Sequence, residues 1–248
     1  MALRRFRADL HVHTCLSPCG ELTIYPRRIV RRALEEHLDI VAVSDHNTAE
    51  NAAATLRAAK DTGLTVWPAI ELTSEEEAHI LGLFETMQDI LPLQDEVFRN
   101  LPQAPPNHSL VKDQVIVDED DIVTGFSSRN LISATELDVY EIVELIHRRG
   151  GLAIASHIDR GAFSIITQLG FIPPDLELDA VEISPSMTVA EARAAYGSAI
   201  RLPMVRFSDA HRPEDIGRTT TEFLLAAPAI EEVRMALREK NGRKICGS

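Results

Sequence analysis

The sequence contains no long apolar run. Its apolar stretches, such as residues 40–43 and 152–155, are far shorter than the roughly 20 residues that a membrane-spanning helix requires. Three arginines occur before position 8, but no apolar segment of the kind found in a secretory signal follows them. We therefore expect a cytoplasmic protein with no membrane partner.

Cysteine, basic residues and aromatic residues are also scarce. Three cysteines cannot all pair, and Cys15 and Cys19 lie too close in sequence to cross-link much of the chain, which is typical of a reducing compartment. With 25 basic against 38 acidic residues, the net charge of −13 disfavours binding of long nucleic acid, because that binding depends on neutralising many phosphates. The single tryptophan, Trp67, and an aromatic content of 5% provide no obvious platform for stacking bases.

What the sequence does contain is an alternation of strand and helix patterns. With 248 residues, 45% of them hydrophobic, we expect one domain over residues 1–248. Apolar runs rich in β-branched residues predict seven strands, at 6–12, 40–44, 65–70, 79–84, 152–156, 180–184 and 204–208. Segments of helical composition lie between most of them, at 26–37, 49–62, 134–149 and 188–198.

This alternation predicts a parallel sheet covered by helices, and seven such units predict an α/β fold of the TIM-like (β/α)7 barrel type. The strand at 65–70 is followed almost at once by the strand at 79–84, so we expect a distorted barrel. Residues 94–133, which include "LPQAPPNHSL", are predicted to form a long excursion between strands.

Potential metal ligands stand at the ends of the predicted strands. They are His11, His13, Asp45, His46, Glu71, His157, Asp209 and His211, with His79 at the start of its strand. The carboxyl ends of parallel strands meet at one crevice, and alternate residues of a strand share a face, as in His11-x-His13. Imidazole and carboxylate ligands suit zinc, iron or manganese, and burying so many polar groups without a cation would cost several kcal/mol. The set therefore predicts a metal site.

The ordered series "DLHVHT", "VSDHNT", "SHIDR" and "FSDAH", with Glu71 and His79 between, resembles the polymerase and histidinol phosphatase (PHP) family over residues 9–211. The resemblance implies a distorted (β/α)7 barrel with two or three divalent transition-metal ions (Zn, Fe or Mn). By this resemblance the first metal matches His11, His13, Glu71 and Asp209; the second Glu71, His79 and His157; and the third His46, His211 and Cys19.

Position 19 departs from the family pattern, which usually has histidine or aspartate there. The thiolate of Cys19 is a legitimate ligand that favours zinc or iron, and the alternative is an inert cysteine beside a two-metal site. For Cys15, in the same loop, we expect a core role.

The resemblance further implies a metal-dependent phosphoesterase that hydrolyses a small phosphomonoester, a nucleotide or a short oligonucleotide by metal-activated hydroxide. The predicted catalytic residues are Asp209, Glu71, His211 and Arg160. Arg160 either contacts the phosphate or pairs with Asp159 or another neighbour. Two alternatives stay open, an amidohydrolase-like or deacetylase-like metal hydrolase and a non-catalytic metal-bound PHP module.

Several further residues have less specific predictions. Asp9 and Asp45 either orient ligand imidazoles or have turn and capping roles. His147 is expected to interact with the end of its helix rather than to take part in catalysis. Within the excursion, His108, Lys112 and Arg129 are weaker candidates for substrate contact.

Overall fold

The structure, a computed structural model, describes residues 2–103 and 113–247. His108 and Lys112 lie outside the described residues. The strands are β1 (Arg4–Val12), β2 (Ile40–His46), β3 (Thr65–Thr73), β4 (His79–Leu83), β5 (Val115–Val117), β6 (Val123–Phe126), β7 (Leu152–Ala155), β8 (Ala180–Ile183), β9 (Met204–Arg206), β10 (Thr221–Leu225) and β11 (Lys244–Ile245). The helices are α1 (Pro26–Glu35), α2 (Ala52–Ala58), α3 (Met87–Asn100), α4 (Val139–Arg148), α5 (Ile165–Leu169), α6 (Val189–Tyr196) and α7 (Ile230–Leu237). None of the described helices is long and apolar enough to cross a membrane.

Nine of the strands form one curled sheet in the order β11-β10-β1-β2-β3-β4-β7-β8-β9. All seven predicted strands are present, and the predicted distorted α/β barrel is confirmed. Strands β10 and β11 were not predicted. The first pairs with β1 in antiparallel orientation, and the second has only two residues, too few for a periodic signal.

The curled sheet comes back on itself at the carboxyl end of β1. There a parallel bridge joins Val12 to Ala210, which follows β9. The His13 N–H donates to the Ala210 carbonyl at 2.9 Å, and the Ala210 N–H donates to the His11 carbonyl at 3.2 Å. This bridge places the residues after β9 beside the two histidines of β1.

Local sequence explains where the helices begin. Pro26 occupies the first turn of α1, where its missing N–H costs nothing. Helix α4 begins at Val139, later than residue 134 where composition predicted its start, because the Asp138 side chain accepts from the Glu141 N–H and ends the preceding extended segment. In α4, α3 and α6 the residue before the helix and the third helical residue cap each other, because the side chain of each accepts the backbone N–H of the other. In α3 these residues are Thr86 and Asp89, and in α6 they are Thr188 and Glu191.

The excursion begins within α3 and contains the two-stranded β5–β6 hairpin. Two asparagines attach it to the barrel. The Asn51 amide donates to the Val115 carbonyl at 3.0 Å and accepts from the Val117 N–H at 3.1 Å. The Asn47 amide donates to the carbonyls of Leu131 and Ser133. Residues 115–117 and 131–133 of the excursion are therefore held next to the chain that follows β2.

A buried carboxylate joins α4 to α7 at the start of β7. Asp179 accepts from His147 Nε2 at 2.9 Å and from the Ala153 N–H at 3.0 Å, and its other oxygen lies 3.4 Å from Arg234 and from Arg238. Burial alone would raise the pKa of Asp179, but these hydrogen bonds and cationic neighbours outweigh it and hold the pKa below its ordinary value. In addition to the position predicted for it at the end of its helix, His147 therefore makes a hydrogen bond to Asp179.

We expect Asp179→Asn to lower the free energy of unfolding near neutral pH by about 1–3 kcal/mol, because it removes a buried charged acceptor. Since the folded-state pKa lies below the unfolded value, this stabilisation is present above the unfolded pKa and is lost as the pH falls through the folded pKa. Urea unfolding at pH 7 and below pH 4 measures the effect, with exposed Asp95→Asn as control. A wild-type advantage that does not shrink in acid would contradict this assignment.

Candidate metal centre

The alternation of strand residues directs the predicted ligands to the concave face of the sheet. Alternate apolar residues along three strands and their continuations pack together in one cluster, here called the inner core, and each series ends at a candidate ligand. These series are Ile40–Ala42–Ser44–His46, Trp67–Ala69–Glu71 and Val205–Phe207–Asp209. Strand β4 is antiparallel to both neighbours, so His79, its first residue, lies at the same end as the last residues of the parallel strands.

Strand β1 reaches the same face through an irregularity. Phe6, Ala8 and Leu10 belong to the inner core, and simple alternation would place Val12 there too. The pairing of β1 with β2 shifts register between Asp9 and Val12, and Val12 packs instead in the core beneath the helices. His11 and His13 therefore face the centre.

Glu71 lies in the middle of this cluster, with five imidazoles around its carboxylate. The distances from its oxygens are 3.0 Å to His79 Nδ1, 3.1 Å to His157 Nε2, 3.1 Å to His46 Nδ1, 3.4 Å to His11 Nε2 and 3.4 Å to His13 Nε2. Asp209 Oδ1 adds contacts to His13 at 3.1 Å and to His11 at 3.4 Å. All these side chains are buried.

Ligand-type atoms lie close enough to share an ion in three groups, which are His11, His13, Glu71 and Asp209; His46, Glu71 and His79; and His13, His46 and His211. The first group is the set that the family pattern assigns to one metal. In the second, His46 stands where His157 was expected, although His157 is also in contact with Glu71. In the third, His13 stands where Cys19 was expected, and the Cys19 sulfur lies 3.1 Å from His46 Nε2.

The cluster fits divalent cations on two grounds. Among the described residues of the cluster, three buried imidazole nitrogens have no hydrogen-bond partner, namely His11 Nε2, His46 Nδ1 and His157 Nδ1, and an unpaired buried polar atom is costly unless something binds it. In addition, two ligands at about 2.1 Å from one tetrahedral ion lie about 3.4 Å apart, which is close to the separations in the first group.

The protonation states of most of these groups also suit metal binding. Burial raises the pKa of Glu71 and of Asp209, but the surrounding histidines outweigh it and hold both pKa values well below the ordinary range. Burial lowers the pKa of His13 to about 4 and that of His46 well below its ordinary value. Ionised carboxylates and neutral imidazoles are the forms that bind metal.

His11 differs from the other imidazoles. Burial lowers its pKa, but the carboxylates of Glu182, Glu71 and Asp209 together raise it well above the ordinary value. Glu182 accepts from His11 Nδ1 at 2.9 Å and is fully buried. Glu182 was not predicted, because its one local sign, a lone carboxylate inside the apolar strand "AVEIS", carries no spacing pattern.

Ser17 and Asp45 orient His13 in the way that Glu182 orients His11. The Nδ1 of His13 is 2.9 Å from Ser17 Oγ, and the Ser17 hydroxyl donates to Asp45 at 2.6 Å. Each contact reserves Nδ1 for a protein partner and leaves Nε2 for the cluster. Asp9, the other acid considered for such a role, accepts the N–H groups of Ser208 and Gly217 and so fixes the chain around Asp209.

Arg160 pairs with Asp209 rather than with Asp159. Its guanidinium lies 2.6 Å from Asp209 Oδ2, and 42% of its side chain is exposed. Asp159 accepts instead from the backbone N–H and hydroxyl of Ser184. His211, the remaining predicted catalytic residue, donates from Nδ1 to the Asp209 carbonyl at 2.8 Å, and its ring stacks on His13.

The two cysteines of the first loop have different environments. Cys15 is buried and packs with Val115 and Val117, as expected of a core residue. Desolvation of the Cys19 thiol and the charges of Glu71 and Asp209 raise its pKa to about 12, so a cation is needed to hold it as a thiolate at neutral pH.

A cavity of about 540 Å³ opens over the cluster. Its lining includes Cys19, His46, Glu71, His79, His157, Arg160, Asp209 and His211. Arg129 is not among the lining residues, and its guanidinium lies over the ring of Phe98. A second cavity of about 560 Å³, beside Arg193 and Arg201 where β9 begins, has no histidine or cysteine among the described residues that line it.

Comparison with known proteins identifies the family. Residues 9–163 match the model of the PHP domain, and residues 194–241 match a PHP-associated model. The first match spans more than half of the chain, which therefore belongs to the PHP family of metal-dependent hydrolases. The chain is also 28% identical, over 71% of its length and 80% of the relative, to the uncharacterized protein MJ1587 of Methanocaldococcus jannaschii.

Solved structures share the fold at lower identity. The lesion-specific endonuclease PfuEndoQ of Pyrococcus furiosus is 20% identical with a TM-score of 0.72, and the match covers 98% of this chain and 58% of that one. The chain thus spans less than two thirds of that endonuclease. An amidohydrolase from Chromobacterium violaceum is 18% identical with a TM-score of 0.58, over 86% of this chain and 90% of the other.

We expect Glu182→Gln to weaken metal binding about 10-fold while the protein stays folded, because partners that orient ligand imidazoles typically contribute 10–100-fold to affinity. Titration against a chelating dye gives the affinity, and thermal unfolding reports the fold. Exposed Glu177→Gln is the matched control. Equal metal affinities in wild type and Glu182→Gln would contradict the role of Glu182 in orienting His11.

Cys19→Ala tests whether the thiol is a ligand. We expect about one metal equivalent less per chain than in wild type, because the third metal, which the family pattern assigns to His46, His211 and Cys19, would lose a donor. Elemental analysis of protein purified without chelator measures this, with Cys246→Ala in the tail as control. An unchanged metal content would identify Cys19 as a bystander.

Proposed function

We propose that this chain hydrolyses phosphate esters, with a small phosphomonoester, a nucleotide or a short oligonucleotide as substrate. The observation that carries the proposal is Glu71, a buried carboxylate in contact with five imidazoles, next to an arginine that lines the same cavity. The family supplies metal-dependent hydrolysis, and the arginine favours an anionic substrate.

The candidate ligands would hold two or three divalent transition-metal ions (Zn, Fe or Mn). When bound, such ions polarise a phosphoryl oxygen and lower the pKa of water. Arg160 supplies a guanidinium beside Asp209, where its remaining donors can bind phosphate oxygens. Glu182 and Ser17 hold His11 and His13 in one orientation each. His211 uses Nδ1 on the Asp209 carbonyl, which leaves Nε2 for a metal or for protonating the leaving oxygen.

Charge favours a phosphate over an amide substrate. Three divalent cations against Glu71, Asp209 and a Cys19 thiolate leave about +3 in the cavity, within a chain of net charge −13. An anion would concentrate there, whereas a neutral amide gains little. The fold likeness to an amidohydrolase keeps amide hydrolysis as the main rival.

Longer nucleic acid is a second candidate substrate class, against our expectation from net charge. A structure of Endonuclease Q, with a TM-score of 0.74 and 20% identity to this chain, holds a 27-mer duplex with an abasic lesion at its active site. The net charge of the chain is therefore a weak argument against long nucleic acid as a substrate, because local positive charge at the metal centre can attract phosphate despite an acidic surface.

We expect Asp209→Asn to reduce hydrolysis of p-nitrophenyl phosphate by at least 100-fold, because it weakens a ligand in the first group and removes the anionic partner of Arg160. Initial rates with protein of known metal content provide the test. Asp95→Asn, on the exposed side of α3, is the control and should behave as wild type.

Two results would contradict the proposal. Metal-loaded wild type without activity on any phosphate ester would favour an amidohydrolase or a non-catalytic module, and amide and ester substrates would then distinguish these. Hydrolysis unaffected by Asp209→Asn would place the reaction elsewhere.

A further inference from the structure

The wall of the cavity beyond the metal centre is entirely apolar among the residues that the structure describes. Apart from the candidate ligands and Arg160, these lining residues are Ile132, Gly161, Ala162 and Phe163. Ile132 and Phe163 are large and expose 45% and 41% of their surface. Two exposed apolar side chains on one cavity indicate a surface for an organic group.

Phe163 is held firmly in place. Its ring stacks on His79 with centroids 4.8 Å apart and an interplanar angle of 18°. Its carbonyl accepts the His79 N–H at 2.9 Å. Its φ of 58° lies in the left-handed region, where a bulky residue is strained and persists only when neighbouring contacts impose it. The ring is therefore a fixed plane at the edge of the cluster.

The chemistry of this wall limits what it can recognise. In the described lining, every carboxylate belongs to the candidate ligands, so a substrate ammonium has no separate counter-charge. The wall also offers no hydroxyl or amide side chain with which to distinguish the hydroxyl groups of a polyol or sugar. A neutral planar ring satisfies the wall, because stacking requires only a flat apolar face.

We propose that the organic group of the phosphate ester is a nucleobase, which stacks against Phe163 and contacts Ile132 while the phosphate faces Arg160. This inference rests on the proposed function and makes Phe163 a specificity-determining residue. Arg160 and Phe163 are three residues apart in one loop, so a single short segment addresses both ends of a nucleotide. The low aromatic content and the buried Trp67 indicated no stacking platform, whereas the exposed ring of Phe163 provides one.

The test compares two substrates that differ only in the base region, AMP and ribose 5-phosphate. We expect wild type to have the higher kcat/KM for AMP, and Phe163→Leu to reduce the AMP to ribose 5-phosphate ratio about 10-fold, a typical effect of one stacking ring. Phe163→Tyr keeps the plane and should keep the ratio. Phe171→Leu, an exposed phenylalanine outside the cavity lining, is the matched control.

A trideoxyadenylate substrate separates the two sources of the base. If kcat/KM is higher for trideoxyadenylate than for AMP, the preferred substrate is a base within a strand; if it is lower, the preferred substrate is a free nucleotide. Either result supports base recognition if Phe163→Leu lowers kcat/KM for the preferred substrate. Equal kcat/KM for AMP and ribose 5-phosphate in wild type, or a ratio unchanged by Phe163→Leu, overturns the inference.

Binding of adenosine, which carries no phosphate, keeps this inference distinguishable from the proposed function. Isothermal titration of wild type and Phe163→Leu needs no turnover. If no phosphate ester is hydrolysed, weaker adenosine binding by Phe163→Leu still supports base recognition and only the proposed reaction fails. Adenosine that binds neither protein, or both equally, overturns the inference.

Discussion

The contact on which the rest of the site depends is the one between the Glu71 carboxylate and the imidazoles around it. A buried carboxylate surrounded by apolar residues would take up a proton, whereas here five histidines lie within 3.4 Å, and His79, His11 and His46 among them hold its pKa low. The histidines in turn crowd one another, with ring centroids as close as 4.6 Å between His13 and His46. Burying so many polar rings side by side costs free energy unless cations bind them. The fold that brings these histidines together is therefore one that favours bound metal.

Two departures from regular strand structure make this cluster possible. The register shift in β1 moves His11 and His13 onto the inner face, and the reversal of β4 brings His79 to the same end as Glu71. A barrel of strictly parallel and regular strands would place these three histidines elsewhere. The distortion of the barrel is therefore what forms the site.

Four of the ten described non-glycine residues with positive φ lie in the same region. Asn47, His157, Phe163 and Asp209 all have positive φ, between 29° and 58°. Each is anchored by contacts that outweigh the strain, as with the Asn47 amide, which donates to two carbonyls of the excursion and accepts the Thr73 N–H. His157, the second residue after β7, combines this positive φ with a contact of 3.1 Å between its Nε2 and Glu71.

The parts of this structure that follow from sequence are those governed by periodicity. Strand β2 is apolar and β-branched, and its alternation places His46 on the inner face, so both the strand and the ligand could be predicted. Glu182 was missed because one glutamate in a strand carries no spacing pattern, and its role depends on His11, 171 residues away. The short strand β11 and the neighbours of Arg160 likewise depend on tertiary contacts that no local pattern encodes.

The Arg160–Asp209 pair would allow one carboxylate both to bind a metal ion and to hold the proposed substrate contact, Arg160. Asp209 directs Oδ1 to His11 and His13 and Oδ2 to Arg160, so a cation and the guanidinium can be bound at once on opposite oxygens. Asp209 thereby positions the arginine at the edge of the metal centre. Since much of the Arg160 side chain is exposed, its other donors remain accessible to the phosphate of the proposed substrate. Replacing Arg160 with lysine would keep the positive charge. It would lose the planar guanidinium, whose several N–H groups allow one side chain to bind both the Asp209 carboxylate and a phosphate.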